Sequence, residues 1–285
     1  MSGLTNALVL SAIVLCSTAM WPLNRWAVRR GARRDAIGVC IGVVALAIMV
    51  LAALLSGKPL LVKPALLFGA IGGAAYAVGF VLIIFYCLKI GPVGPTVTVN
   101  NLGLLWPVII GMIWFSKDAP SWLVVAGVIL TVAALILIGW SCSKDGALSR
   151  KWVVWVFIGW CFSGVSMSCQ LLSSKTAPDG MFAYVAAGFG LSAILLAVPL
   201  LKRGGALRRA EVIAGAGTGI IVGFVLPATL WLLTRMPASV IFPVTVASPA
   251  VLMLLTSHFV FKEKLSALGW TGCFLGVAGI VLLNL

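Results

Sequence analysis

The sequence predicts an all-α integral membrane protein whose ten transmembrane helices form two inverted five-helix repeats. Three observations lead there. Of the 285 residues 62% are hydrophobic and only 9% are charged, with a mean hydropathy of +1.19, whereas a soluble domain carries about 25% charged residues to keep its surface wet. The charges are spaced so that ten long charge-free windows remain. Short matches also recur between the two halves at a nearly constant offset.

In chain order the windows are residues 1–24, 36–57, 64–88, 90–116, 119–143, 152–174, 180–201, 212–234, 236–261 and 265–285. Each is 21 to 27 residues long, and a helix needs about 20 mostly apolar residues to cross a hydrocarbon core of about 30 Å. Every other charge-free stretch has one to four residues. Lipid accounts for this bimodal spacing, because a charge at the bilayer centre costs at least about 2.5–3.5 kcal/mol on insertion scales. Val44–Leu55 and Val128–Ile138 show no alternation of polarity, unlike barrel strands of about 10 residues. Each span must then satisfy its own backbone hydrogen bonds as a helix.

The connections carry the charge. A net charge of +14 reads here as orientation, with the bilayer and not nucleic acid as partner. The odd-numbered connections hold 15 Lys and Arg and the even-numbered ones five. By the positive-inside rule the odd connections face the cytoplasm, so both termini of this multi-pass chain lie on the non-cytoplasmic side of the cell (inner or plasma) membrane. Arg25, Arg29, Arg30, Arg33 and Arg34, directly after the first span, dominate that expectation. Residues 1–24 have no positive n-region and are read as a span, not as a cleavable signal peptide. The seven cysteines form no CxxC pair and read as apolar fillers.

The repeat is visible in order along the chain. Val78-Gly79-Phe80-Val81-Leu82 recurs as Val222-Gly223-Phe224-Val225-Leu226, 144 residues on, and Val97-Thr98-Val99 as Val244-Thr245-Val246, 147 on. Asp118 matches Glu263 and Gly127 matches Gly272, both at 145. The expected repeats are residues 1–143 and 144–285. Five spans are an odd number, so the second copy enters the membrane the opposite way up. Inverted repeats of this kind are typical of secondary transporters. Two similar halves facing opposite sides give two nearly equivalent states, and a site at their interface alternates between them.

The segments Leu88–Asp118 and Leu232–Leu265 each run from a span end, through a very short turn, into a proline-containing span that ends near an acidic residue. The second reads Pro237-Ala238-Ser239, Ser248-Pro249 and then Phe261-Lys262-Glu263-Lys264-Leu265-Ser266. In the first, Asn101 to Pro107 and Trp114 to Asp118 take the same places. With these features the chain resembles the drug/metabolite transporter superfamily, in particular its EamA-type ten-span members. The resemblance implies a transporter fold and leaves the solute open. The first half ends in Lys117-Asp118-Ala119-Pro120-Ser121, a departure from the family's usual Glu-Arg/Lys-Leu-Ser.

The six acids, Asp35, Asp118, Asp145, Asp179, Glu211 and Glu263, all lie in connections or at span ends. With no carboxylate, Lys or Arg at mid-membrane, a central site is neutral. That favours uniport or exchange of a small neutral or zwitterionic metabolite such as an amino acid or sugar. Asn100 and Asn101 precede Pro107 within one span, and an amide in lipid must face protein or a cavity. Their alternative role is to glue two helices together. Thr245 and Ser248 are three apart and share a face, though Ser and Thr often bond back to their own helix. Tyr76, Ser166 and Gln170 are further solute-binding candidates, as is Trp21, which also suits an interfacial anchor. His258 reads as a structural hydrogen-bonder, and neither a metal nor a cofactor is expected. The glycines 69 and 73, 215, 219 and 223, and 272 and 276 allow close helix approach within the bundle, or in a homodimer. An enzyme acting on a lipid-linked substrate would need a catalytic cluster near the interface. A non-transporting scaffold is the other alternative.

Overall fold

A computed structural model describes residues 2–90, 96, 99–115, 121–141, 149–259 and 266–283. They are almost entirely helical, with no strand among the described residues. The α-helical elements are α1 (Ser2–Arg29), α2 (Arg34–Ser56), α3 (Lys63–Ala75), α4 (Phe85–Ile90), α5 (Leu105–Ile110), α6 (Trp122–Ser141), α7 (Arg150–Thr176), α8 (Met181–Arg203), α9 (Arg209–Leu233), α10 (Ala238–Phe259) and α11 (Ala267–Leu283). Among the described residues six spans are long and apolar enough to cross a membrane: Gly3–Asn24, Arg34–Ser56, Lys63–Ile84, Arg150–Thr176, Pro178–Arg203 and Arg209–Leu233. Shorter apolar helices, Val99–Phe115, Trp122–Leu137, Ala238–Leu252 and Ala267–Leu282, occupy the other four windows.

Two spans depart from regular α-helix among the described residues. After α3 the chain continues as a π-helix over Tyr76–Ile84 before α4. The Asn100 span contains a 3-10 turn at Leu102–Leu104, then α5, then a second π segment at Gly111–Phe115. Pro107 has no N–H to offer the Gly103 carbonyl four residues back, and the tighter turn sits there. The helix thus opens one turn before the proline.

The chain forms two compact units, each drawing on both sequence halves. Unit 1 is Met1–Val81 with Ser168–Arg235, and unit 2 is Leu82–Met167 with Met236–Leu285.

In unit 1, α2 packs against α8 and α9, α3 against α8, and α1 against α9. Glycines set these contacts. A Cβ at Gly215, Gly219 or Gly223 of α9 would meet Cys40, Val44 or Ile48 of α2, one turn further along at each step. The two helices are therefore parallel. Gly73 lies so close to Gly188 that a Cβ there would overlap its backbone, and Ser192 Oγ donates to the Gly73 carbonyl at 2.7 Å. Connection 1 (residues 25–35) and connection 7 (residues 202–211) meet at one end, where Arg33 bonds the carbonyls of Gly204 and Ala206 at 3.0 and 2.9 Å. At the other end Gly180, just before α8, packs against Ala65 at the start of α3. It follows that α2 and α8 run in opposite directions, and so do α3 and α9. Gly57, with φ 62°, ends α2 in the left-handed conformation, which costs glycine little.

In unit 2, α6 pairs with α11, and α10 packs against α6, α11 and α5. Gly279 faces Thr131 and the Gly127 carbonyl, while Gly276 faces Val251 and Ala134. The first part of α7 belongs here as well. Its Trp152 indole donates to Thr96 Oγ1 at 2.9 Å, and Trp155 meets Tyr86 edge-on at 5.7 Å.

Candidate functional site

The broken span of unit 2 carries the densest set of expected residues. Asn100 is buried, and its Oδ1 has no hydrogen-bond partner among the described residues. Asn101 is half-buried. Gly103, three residues after Asn100 and so on its face, packs on Ser163 and Gly164 of α7. Trp106 lies over Gly164 and meets Trp160 edge-on at 5.6 Å. Ser166 is half-buried three residues beyond Ser163. The 3-10 turn and α5 also contact α10, the helix of Thr245 and Ser248.

The hydroxyl of Thr245 donates to the Ile241 carbonyl at 2.8 Å and lies 3.3 Å from that of Phe242. Its donor is thus satisfied by its own helix. Ser248 is half-buried one turn on. Together unit 2 gathers Asn100, Asn101, Ser166, Thr245 and Ser248.

Tyr76 and Gln170 belong to unit 1. Tyr76 opens the π-helix and meets Phe189 edge-on at 6.5 Å. Trp21 lies in α1, but its side chain, like that of His258, is outside the described residues, as are Asp118 and Glu263. No cluster of three or more metal-ligating side chains occurs among the described residues.

A second polar constellation escaped the sequence reading. Glu211, one residue before the apolar window of α9, has no accessible surface. Its Oε1 accepts from the Arg33 backbone N–H at 2.8 Å and from Arg33 Nε at 2.9 Å. Oε2 accepts from Arg33 Nη2 at 3.0 Å and from the Arg208 backbone N–H at 2.8 Å. The side-chain hydrogen bond to Glu211 raises the Arg33 guanidinium above its ordinary value. Nearby, Arg203 Nη1 pairs with Asp35 Oδ2 at 3.0 Å, and Arg208 Nη1 donates to the Gly31 carbonyl at 2.7 Å. Arg33 and Glu211 are 178 positions apart. The one hint in the sequence is a lone acid in a basic connection.

Residues 150–285 match the model of the EamA-like transporter family. The second half of the chain is thus similar to EamA-like transporter domains. The likeness of this region is to membrane transporters of the drug/metabolite type, which agrees with the chain's run of apolar helices. No curated protein matches the sequence. One solved crystal structure superposes on 98% of this chain and 96% of its own with a TM-score of 0.80, at 19% identity. At that identity the likeness is one of fold. The matched region contributes α7 and α10 to the candidate site, and the broken span comes from the preceding half.

Proposed function

We propose that the protein is an alternating-access transporter, by uniport or exchange, of a small neutral or zwitterionic metabolite such as an amino acid or sugar. The proposed repeats are residues 1–143 and 144–285, and the site lies where the Asn100 span of the first meets α10 of the second, within unit 2. One observation carries this reading. Asn100 buries a carbonyl oxygen without a partner, on a span whose helix is interrupted by 3-10 and π turns. A buried acceptor left unsatisfied costs about 1–3 kcal/mol, and irregular backbone at membrane depth is tolerated where protein or a cavity surrounds it. A solute hydroxyl or ammonium N–H supplies the missing donor. Asn101, Ser166 and Ser248 add polar contacts, and Trp106 and Trp160 an aromatic wall. Tyr76, Gln170 and Trp21 are secondary candidates.

The test is counterflow of radiolabelled amino acids and sugars in proteoliposomes, with Asn100→Ala beside the wild type. A solute-binding Asn100 loses transport at least tenfold while thermal stability stays level or rises, because no bond to Oδ1 is lost. An amide that glues helices would instead lower stability by about 0.6–2 kcal/mol. Loss of stability without a transport defect, or turnover of a lipid substrate with no counterflow across the panel, would refute the proposal.

A further inference from the structure

Connections 1 and 7 of unit 1, residues 25–35 and 202–211, meet at one end of the unit and hold nine Lys and Arg against two carboxylates. Both carboxylates are engaged there, Glu211 by Arg33 and Asp35 by Arg203. The opposite end of the same unit carries Lys58, Lys63 and Lys175 with Asp179. Arg30, Lys202 and Arg209 are exposed, and no carboxylate pairs with them among the described residues. The Arg30 guanidinium sits 4.7 Å from the ring centre of Trp26, and indoles settle at the depth of lipid headgroups. Around the basic residues Leu201, Leu207, Val212 and Ile213 are exposed apolar side chains.

We propose that this face binds the phosphate-bearing headgroups of anionic phospholipids in the protein's own bilayer. Cationic donors at headgroup depth attract anionic lipid, and the Arg33–Glu211 hydrogen bonds hold the two connections in one shape, so little order is lost on binding. The exposed leucines, valine and isoleucine fit acyl chains beside the phosphate. A soluble phosphate gains nothing from them.

The experiment measures the melting temperature of the full chain in neutral detergent while dioleoyl phosphatidylglycerol, dioleoyl phosphatidylcholine or inorganic phosphate is titrated, since ligands of the folded state raise stability. Phosphatidylglycerol is expected to raise it, and phosphatidylcholine and phosphate to leave it level. The triple variant Arg30→Gln/Lys202→Gln/Arg209→Gln spares the Arg33–Glu211 pair. It should bind roughly fivefold more weakly per charge removed, on the order of 100-fold in all at low salt. Lys58→Gln/Lys63→Gln/Lys175→Gln, at the other end, should keep the response. Equal shifts from phosphatidylcholine or phosphate, or an undiminished response in the Arg30 triple variant, would overturn the proposal.

Discussion

Replacing Glu211 by Gln isolates the bond network that ties connection 1 to connection 7. The carboxylate accepts four hydrogen bonds of 2.8 to 3.0 Å, two from the Arg33 guanidinium and two from backbone N–H groups. A glutamine keeps one oxygen and turns the other acceptor into a donor that faces Arg33 or the Arg208 N–H. Removing one partner of a buried pair costs about 3–5 kcal/mol. The Glu211 side chain has no accessible surface, but it is covered by neighbouring arginines in a shallow layer at the helix end, and Arg33 retains a fifth of its exposure. Water can therefore replace part of what is lost, which brings the expected cost to about 2–3 kcal/mol. At roughly 2–4 °C per kcal/mol for a large domain, the variant should melt about 5–10 °C below the wild type in detergent. Asp35→Asn is the control. Asp35 is itself buried, but its partner Arg203 is 66% exposed, so the guanidinium returns to water when the pair is broken; at about 0–1 kcal/mol for such a screened pair, Asp35→Asn should lower the melting point by no more than about 4 °C. Equal melting points for Glu211→Gln and the wild type, or a larger loss from Asp35→Asn, would refute the reasoning.

Packing supplies a further contrast. Gly73→Ala drives a methyl into the Gly188 backbone, whereas a Cβ at Gly190 meets Leu46 at an ordinary 3.7 Å. Gly73→Ala should lower stability by about 1–3 kcal/mol or more, and Gly190→Ala should fold normally, as read by size-exclusion profile and melting point.

Charge spacing located the ten apolar helices among the described residues, because lipid penalises charge wherever a span runs. It placed their ends less well. The helices α1 and α8 run on to Arg29 and Arg203 and α9 begins at Arg209, since long basic side chains reach the interface from a terminal helical turn. Pro107 marked the broken span, and its missing N–H is a signal in the residue itself. The π segments at Tyr76–Ile84 and Gly111–Phe115 carry no comparable mark, as no residue type demands that hydrogen-bond pattern. Asn100 and Asn101 were indistinguishable by type, and tertiary packing separates the buried one from its half-buried neighbour. Thr245 took the local bond to its own helix. The pairing of Arg33 with Glu211 depends on two connections being brought together by whole helices, which neither local sequence reports. The glycine stripes were readable, since small side chains four apart leave few uses other than close approach.

An odd number of crossings per repeat is what turns a duplication into a gate open to either side, and its most direct test is topological. Single cysteines placed at Gly31 and at Lys175, in a background freed of native cysteines, are labelled with a membrane-impermeant maleimide in sealed, right-side-out vesicles. Lys175 is expected to react from outside and Gly31 only after the vesicles are opened. Labelling of both positions from the same side would contradict the inverted arrangement.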